Sequence, residues 1–135
     1  TAALLREELY KTLEYMNDWA EYEKNKEDND KPEFDMKLNA LIPVVKGELL
    51  VKAHAHRSDD ILTAVRIARE FNLDMTIDHC TEGWMIPELL KSYGYDVIVG
   101  PILTDRSKIE LKNQSLKAPG YGPEGGAQGR YNQRC

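Results

Sequence analysis

The sequence predicts an α/β fold built on a parallel sheet, and three observations predict it. From Leu49 onward, short β-like runs alternate strictly with helical stripes, and the loops between them are only a few residues long. Two of the runs end in histidine and pass straight into a helix. Parallel strands must be joined by a crossover of a dozen or more residues, usually a helix with right-handed connection, so strand, helix, strand, helix, strand specifies a parallel sheet.

The elements follow in order. Leu5, Leu9, Leu13, Met16 and Ala20 recur at helical spacing, which predicts one amphipathic packing helix over the first two dozen residues. Glu21 to Asp35 is dense in Lys, Glu, Asp and Asn and contains Pro32, the composition of a solvated turn. A second short helix places Phe34, Leu38, Leu41, Ile42 and Val45 on one side and stops at Gly47. Strands are expected at about residues 49 to 55, 74 to 79 and 96 to 100. The helical stripe between the first two is Ile61, Ala64, Val65, Ala68 and Phe71, and that between the second and third is Ile86, Leu89, Leu90 and Tyr93. Gly100-Pro101 ends the third strand, because proline cannot continue a central ladder.

Three parallel strands leave both sheet edges open and one face poorly covered. A (β/α)8 TIM barrel takes about 250 residues, so these 135 residues read as a partial barrel preceded by a helical segment. Thr1 to Leu9 is already helical in character, and the chain reads as a piece of something larger. Residues 1–120 are expected to form the partial barrel and residues 121–135 an irregular tail. Ala118 to Cys135 holds five of the nine glycines and almost no aliphatic residue.

Hydrophobic content of 41% supports a real core, and 18 basic against 23 acidic residues give a net charge of -5 with no basic stripe. That balance argues against nucleic acid and membrane surfaces as partners and favours a small-molecule ligand. No run approaches the roughly 18 apolar residues of a spanning helix. Cys80 and Cys135 are too few for a disulfide framework, which points to a reducing, cytoplasmic compartment. Nothing in the sequence sets the oligomeric state.

Side chains alternate along a strand, so Lys52, His54 and His56 share one face, while Met75, Ile77 and His79 share a face of the next strand. Strand carboxyl ends form the rim on which α/β sites are built. His54 and His79 are therefore expected to approach one another there. The residues alone leave two readings open: a hydrogen-bonded structural pair, or part of a metal site, whose remaining ligands come from elsewhere. Ser58 or Asp59 is expected to cap the following helix. Arg57 either grips a substrate carboxylate or forms a surface ion pair. Asp78 is expected to face away from the side of His79 and to orient neighbours, Glu82 to occupy a first helical turn, Cys80 to be structural, and Trp84 to pack near the rim.

Val51-Lys52-Ala53-His54-Ala55-His56-Arg57-Ser58-Asp59-Asp60-Ile61, with Asp78-His79-Cys80-Thr81-Glu82-Gly83 and Val97-Ile98-Val99-Gly100-Pro101, resembles the amidohydrolase superfamily in its imidazolonepropionase-like branch. The similarity runs from Thr1 to about Gly120 and covers barrel strands five to seven. It implies that His54 ends strand five and ligates a divalent metal, zinc by preference. It also implies that His79 ends strand six and either ligates a second metal or contacts the activated water or substrate. His56 and Arg57 would face the substrate. The chain departs from the family in lacking the His-x-His of strand one and the aspartate that ends strand eight. Read one nucleotide forward from Gly120, the tail yields a strand-like run ending in aspartate that resembles strand eight, so the tail is read as out of frame.

The leading expectation is a fragment of a metal-dependent hydrolase acting on C–N bonds of an amide or cyclic amide, inactive alone for want of ligands. The alternative is a non-catalytic α/β module in which His54, His56 and His79 bind an ion or ligand without turnover. A truncated product with no independent role is the third possibility.

Overall fold

A computed structural model describes residues 1–100 and 108–115 of the chain. Its elements are α1 (Ala2–Lys24), α2 (Met36–Val45), β1 (Val51–Ala55), α3 (Ser58–Glu70), β2 (Met75–His79), α4 (Pro87–Tyr93) and β3 (Asp96–Val99), with 3-10 turns at Gly83–Met85 and Ile109–Leu111. The strands form one parallel sheet in the order β1-β2-β3, with Ala53 opposite Ile77 and Ile77 opposite Val97. The expected strands are thus present, each within two residues of its expected bounds. The two 3-10 turns, of three residues each, are too short to show a period in the sequence, and the tail expected at 121–135 lies outside the described residues.

The core follows from period-two alternation. Ala55, Met75, Ile77 and Val97 join Ile61, Val65 and Ala68 of α3 and Leu9 of α1 in one buried cluster. Ile61, which opens the apolar stripe of α3, and Ile77, at the centre of the middle strand, are wholly excluded from solvent. The opposite face of the sheet carries Lys52, His54, Thr76 and Asp78, in register as Lys52 with Thr76 and His54 with Asp78.

Helix α1 forms as expected but buries a different stripe. Leu9, Thr12 and Tyr15 are buried, while Leu5 and Leu13 are exposed. Thr12 is tolerated inside because its hydroxyl donates to Glu8 O at 2.7 Å, leaving its methyl apolar. The helix is held against α3 by Glu70, whose carboxylate accepts from Arg6 Nη2 at 2.6 Å, Arg6 Nε at 2.8 Å and Tyr10 Oη at 2.7 Å. The Tyr10 ring meets Phe71 edge-on at 4.8 Å. Helix α2 starts at Asp35, whose Oδ1 accepts from Leu38 N at 2.9 Å, and the chain turns at Gly47 with φ +71°. Phe34 precedes α2 and is exposed, so it is not on the packed side expected for it. Among the described residues no helix is long and apolar enough to cross a membrane.

Candidate functional site

At the carboxyl end of β2 the backbone does something that alternation does not foresee. His79 has φ +72° and Cys80 φ +44°, two consecutive left-handed residues that are not glycine. Strand register places His79 opposite Ala55, on the core side. The left-handed turn carries its ring round the strand end to His54 instead, with His54 Nδ1 and His79 Nε2 3.0 Å apart. The approach of the two histidines is therefore as expected. Asp78 alternates with His79 along β2 as expected, but the register puts it, rather than His79, on the strand face of His54.

Each ring has a second contact. His79 Nδ1 lies 2.8 Å from Gly100 O at the end of β3. A carbonyl only accepts, so this nitrogen carries the proton and Nε2 of neutral His79 offers a lone pair. His54 Nε2 lies 3.8 Å from Asp78 Oδ2. Asp78 Oδ2 also meets Lys52 Nζ at 3.0 Å, and its Oδ1 accepts from Thr76 Oγ1 at 3.2 Å. Burial opposes the charged form of Asp78, but Lys52 and Thr76 outweigh it and hold the carboxyl below its usual range.

His56 stacks on His79, ring centroids 4.6 Å apart and planes 10° from parallel. Its Nδ1 is 2.7 Å from Thr81 Oγ1, and its Nε2 is 3.8 Å from Glu110 Oε1. Burial, then the neighbouring His79, depress the His56 imidazole below its ordinary value. All three histidines of the chain thus meet at one end of the sheet. Arg57, by contrast, turns outward: its Nε and Nη2 bind the two oxygens of Asp59 at 3.0 and 2.7 Å, with both side chains more than half exposed.

The cap of α3 is also not the expected one. Neither Ser58 nor Asp59 caps the helix; Ser58 N donates to Glu82 Oε2 at 2.8 Å. Glu82 is buried and lies before the Gly83–Met85 turn rather than in a first helical turn. Burial opposes its ionisation, but donation from Ser58 and from Asn113 Nδ2 at 2.7 Å outweighs that and keeps its carboxyl below the ordinary range. Trp84 packs at this rim as expected, its Nε1 donating to Asn113 O at 3.2 Å. Thr81, Glu82 and Glu110 meet His56 only through the loops, and Asn113 joins them through Glu82, so no local spacing in the sequence signals them. Cys80 is buried, and burial pushes its thiol up to about 12.

An ion held by two imidazole nitrogens at about 2.0–2.1 Å needs them about 3.4 Å apart for a tetrahedral angle. His54 Nδ1 and His79 Nε2, at 3.0 Å, are within a few tenths of an ångström of that. Two donors are only part of a site. Among the described residues, no group of three His, Cys, Asp or Glu side chains is arranged to hold a metal ion.

No family model and no curated protein matches the chain. The crystal structure of an amidohydrolase from Thermotoga maritima MSB8 does, with a TM-score of 0.83 and 35% sequence identity over 93% of this chain. The match covers 32% of that protein, so the chain spans about a third of its length. The likeness supports an amidohydrolase relationship, and the α/β architecture with its helical amino-terminal segment agrees with part of such a barrel.

Proposed function

We propose that the chain is part of a metal-dependent amidohydrolase of the imidazolonepropionase-like branch, cleaving a C–N bond in an amide or cyclic amide. The 3.0 Å approach of His54 Nδ1 to His79 Nε2 at the carboxyl edge of the sheet carries this reading, together with the likeness to the Thermotoga protein. His54 and His79 would hold a divalent metal, zinc by preference. A metal bound there would supply Lewis-acid activation of water and of the scissile carbonyl. The chain's own residues do the rest. Gly100 O holds the His79 proton on Nδ1 and keeps Nε2 open toward His54. His56, stacked on His79 and made less basic by burial, lines the site with a ring able to accept or pass a proton. Arg57 exchanges its exposed Asp59 partner for a substrate carboxylate.

The test is calorimetric titration of Zn2+ into the intact chain. Saturable binding is expected, lost in both His54→Gln and His79→Gln; unchanged binding in those variants would refute the site. With only two metal donors brought together among the described residues, no turnover of an amide or lactam is expected from this chain even with zinc. Ordinary turnover would mean that the site is misassigned. A second reading, a non-catalytic α/β module in which His54, His56 and His79 bind an ion or ligand without turnover, is favoured by the stacking of His56 on His79, which gathers all three rings. Supplying the missing ligands on a longer polypeptide separates the two, since only the first reading then expects hydrolysis.

A further inference from the structure

Lys52 and Asp78 touch neither the shared nitrogens nor the rim, yet they stand directly behind His54. The contacts of the cluster dictate where its protons lie. His79 Nε2 presents a lone pair because Nδ1 donates to Gly100 O. The nitrogen facing it at 3.0 Å, His54 Nδ1, must then be the donor, which leaves the lone pair of neutral His54 on Nε2. Holding an ion between His54 Nδ1 and His79 Nε2 requires the reverse. The N–H bond at Nδ1 breaks, one forms at Nε2 by exchange through water, and the charge of the ring does not change.

The new N–H then needs an acceptor, and Asp78 Oδ2 is 3.8 Å from Nε2. That is too long for a hydrogen bond as it stands, but the His54 side chain is 63% exposed, and a small rotation of its ring would close the gap. The carboxylate is not free: it is 7% exposed and fixed by Lys52 Nζ at 3.0 Å and Thr76 Oγ1 at 3.2 Å. We propose that Asp78, anchored by Lys52 and Thr76, is the positioning residue that accepts a hydrogen bond from the Nε2–H of His54 and so turns the lone pair of Nδ1 toward the ion. This rests on the metal reading above. A carboxylate behind a ligating imidazole fixes its tautomer and orientation and raises its basicity.

The experiment follows the ring nitrogens of the intact chain by 15N NMR before and after Zn2+, with calorimetric affinities for the wild type, Asp78→Asn and Lys52→Met. Without metal, the His54 proton is expected on Nδ1; with Zn2+, on Nε2. Asp78→Asn is expected to weaken Zn2+ binding by about 10–100-fold, and Lys52→Met by a smaller factor with the same sign. Wild-type affinity in both variants, or a His54 proton on Nε2 before metal is added, overturns the role of Asp78 while leaving the metal site standing. If neither His54 nor His79 responds to Zn2+, the metal reading falls and takes this proposal with it. Should Asp78→Asn fail to fold, Lys52→Met decides alone, and wild-type affinity there overturns the proposal.

Discussion

Cys80 and Gly83 share one tight space in the turn after β2. A Cβ built on Gly83 would overlap Cys80 Sγ and press on Leu90 Cδ1 at 3.1 Å, and the thiol is buried with nowhere to retreat. Gly83→Ala is therefore expected to destabilise the protein by about 1–3 kcal/mol in urea unfolding. Adding Cys80→Ala should recover part of that loss; a double variant as unstable as the sum of the singles would rule out the clash. Because burial lifts the Cys80 thiol to about 12, Cys80 should resist a thiol reagent at pH 8 in a Cys135→Ser background until denaturant is added. Rapid labelling of the native protein would contradict its burial. The two histidines at adjacent strand ends were legible from the sequence, since strand type and position are written in local alternation. The turn that joins them was not. Neither His79 nor Cys80 is a glycine, the residue that advertises a left-handed backbone, so period two alone keeps the His79 ring on the core side with Ala55 rather than beside His54.

Among the elements, the strands and helices were legible wherever a stripe of apolar residues was long and regular, as in α3 with Ile61, Val65 and Ala68. What the sequence hid was how elements are tied. The carboxylate serving the first turn of α3 comes from Glu82, 24 residues beyond Ser58, while the local candidate Asp59 is spent on Arg57. Glu82→Ala should cost about 0.5–2 kcal/mol, as for loss of a cap, and Asp59→Ala less than about 0.5 kcal/mol, as for an exposed site; thermal or urea melts that reverse this order would restore the local cap. The α1 to α3 contact makes a claim about acid. Hydrogen bonds from Arg6 and Tyr10 hold the Glu70 carboxyl below its usual range. A carboxyl depressed in the folded state adds stability that is present above its unfolded value and is lost as pH falls through its folded value. The melting temperature of the wild type should accordingly drop more steeply than that of Glu70→Gln as pH is taken below about 4. Parallel curves would show that the contact contributes nothing measurable.

At the scale of the whole molecule, one cluster around Ile61 and Ile77 joins the sheet, α3 and α1. Ile77→Ala should cost about 2–5 kcal/mol, a large share of the roughly 5–15 kcal/mol that stabilises a typical domain. Circular dichroism melts of that variant should begin well below those of the wild type, and an unchanged melt would mean that the sheet is not where stability resides. The partial-barrel architecture was legible because alternation of strand and helix is a long-range rhythm of the sequence. The partnership of Asn113 with Glu82 and Trp84 was not, because it joins residues 29 and 31 positions apart that carry no periodic signal. Those stitches bear on how the protein can be taken apart. Dissection of α/β proteins is usually planned at the boundary after each strand–helix pair, as though every pair were a module. Here a cut between α3 and β2 would remove the acceptor on which the first amide of α3 depends, and a cut before residue 108 would loosen Glu82 itself. The smallest piece that keeps its own helix start intact is β1, α3, β2 and the turn that follows, with the Asn113 segment supplied from the carboxyl side.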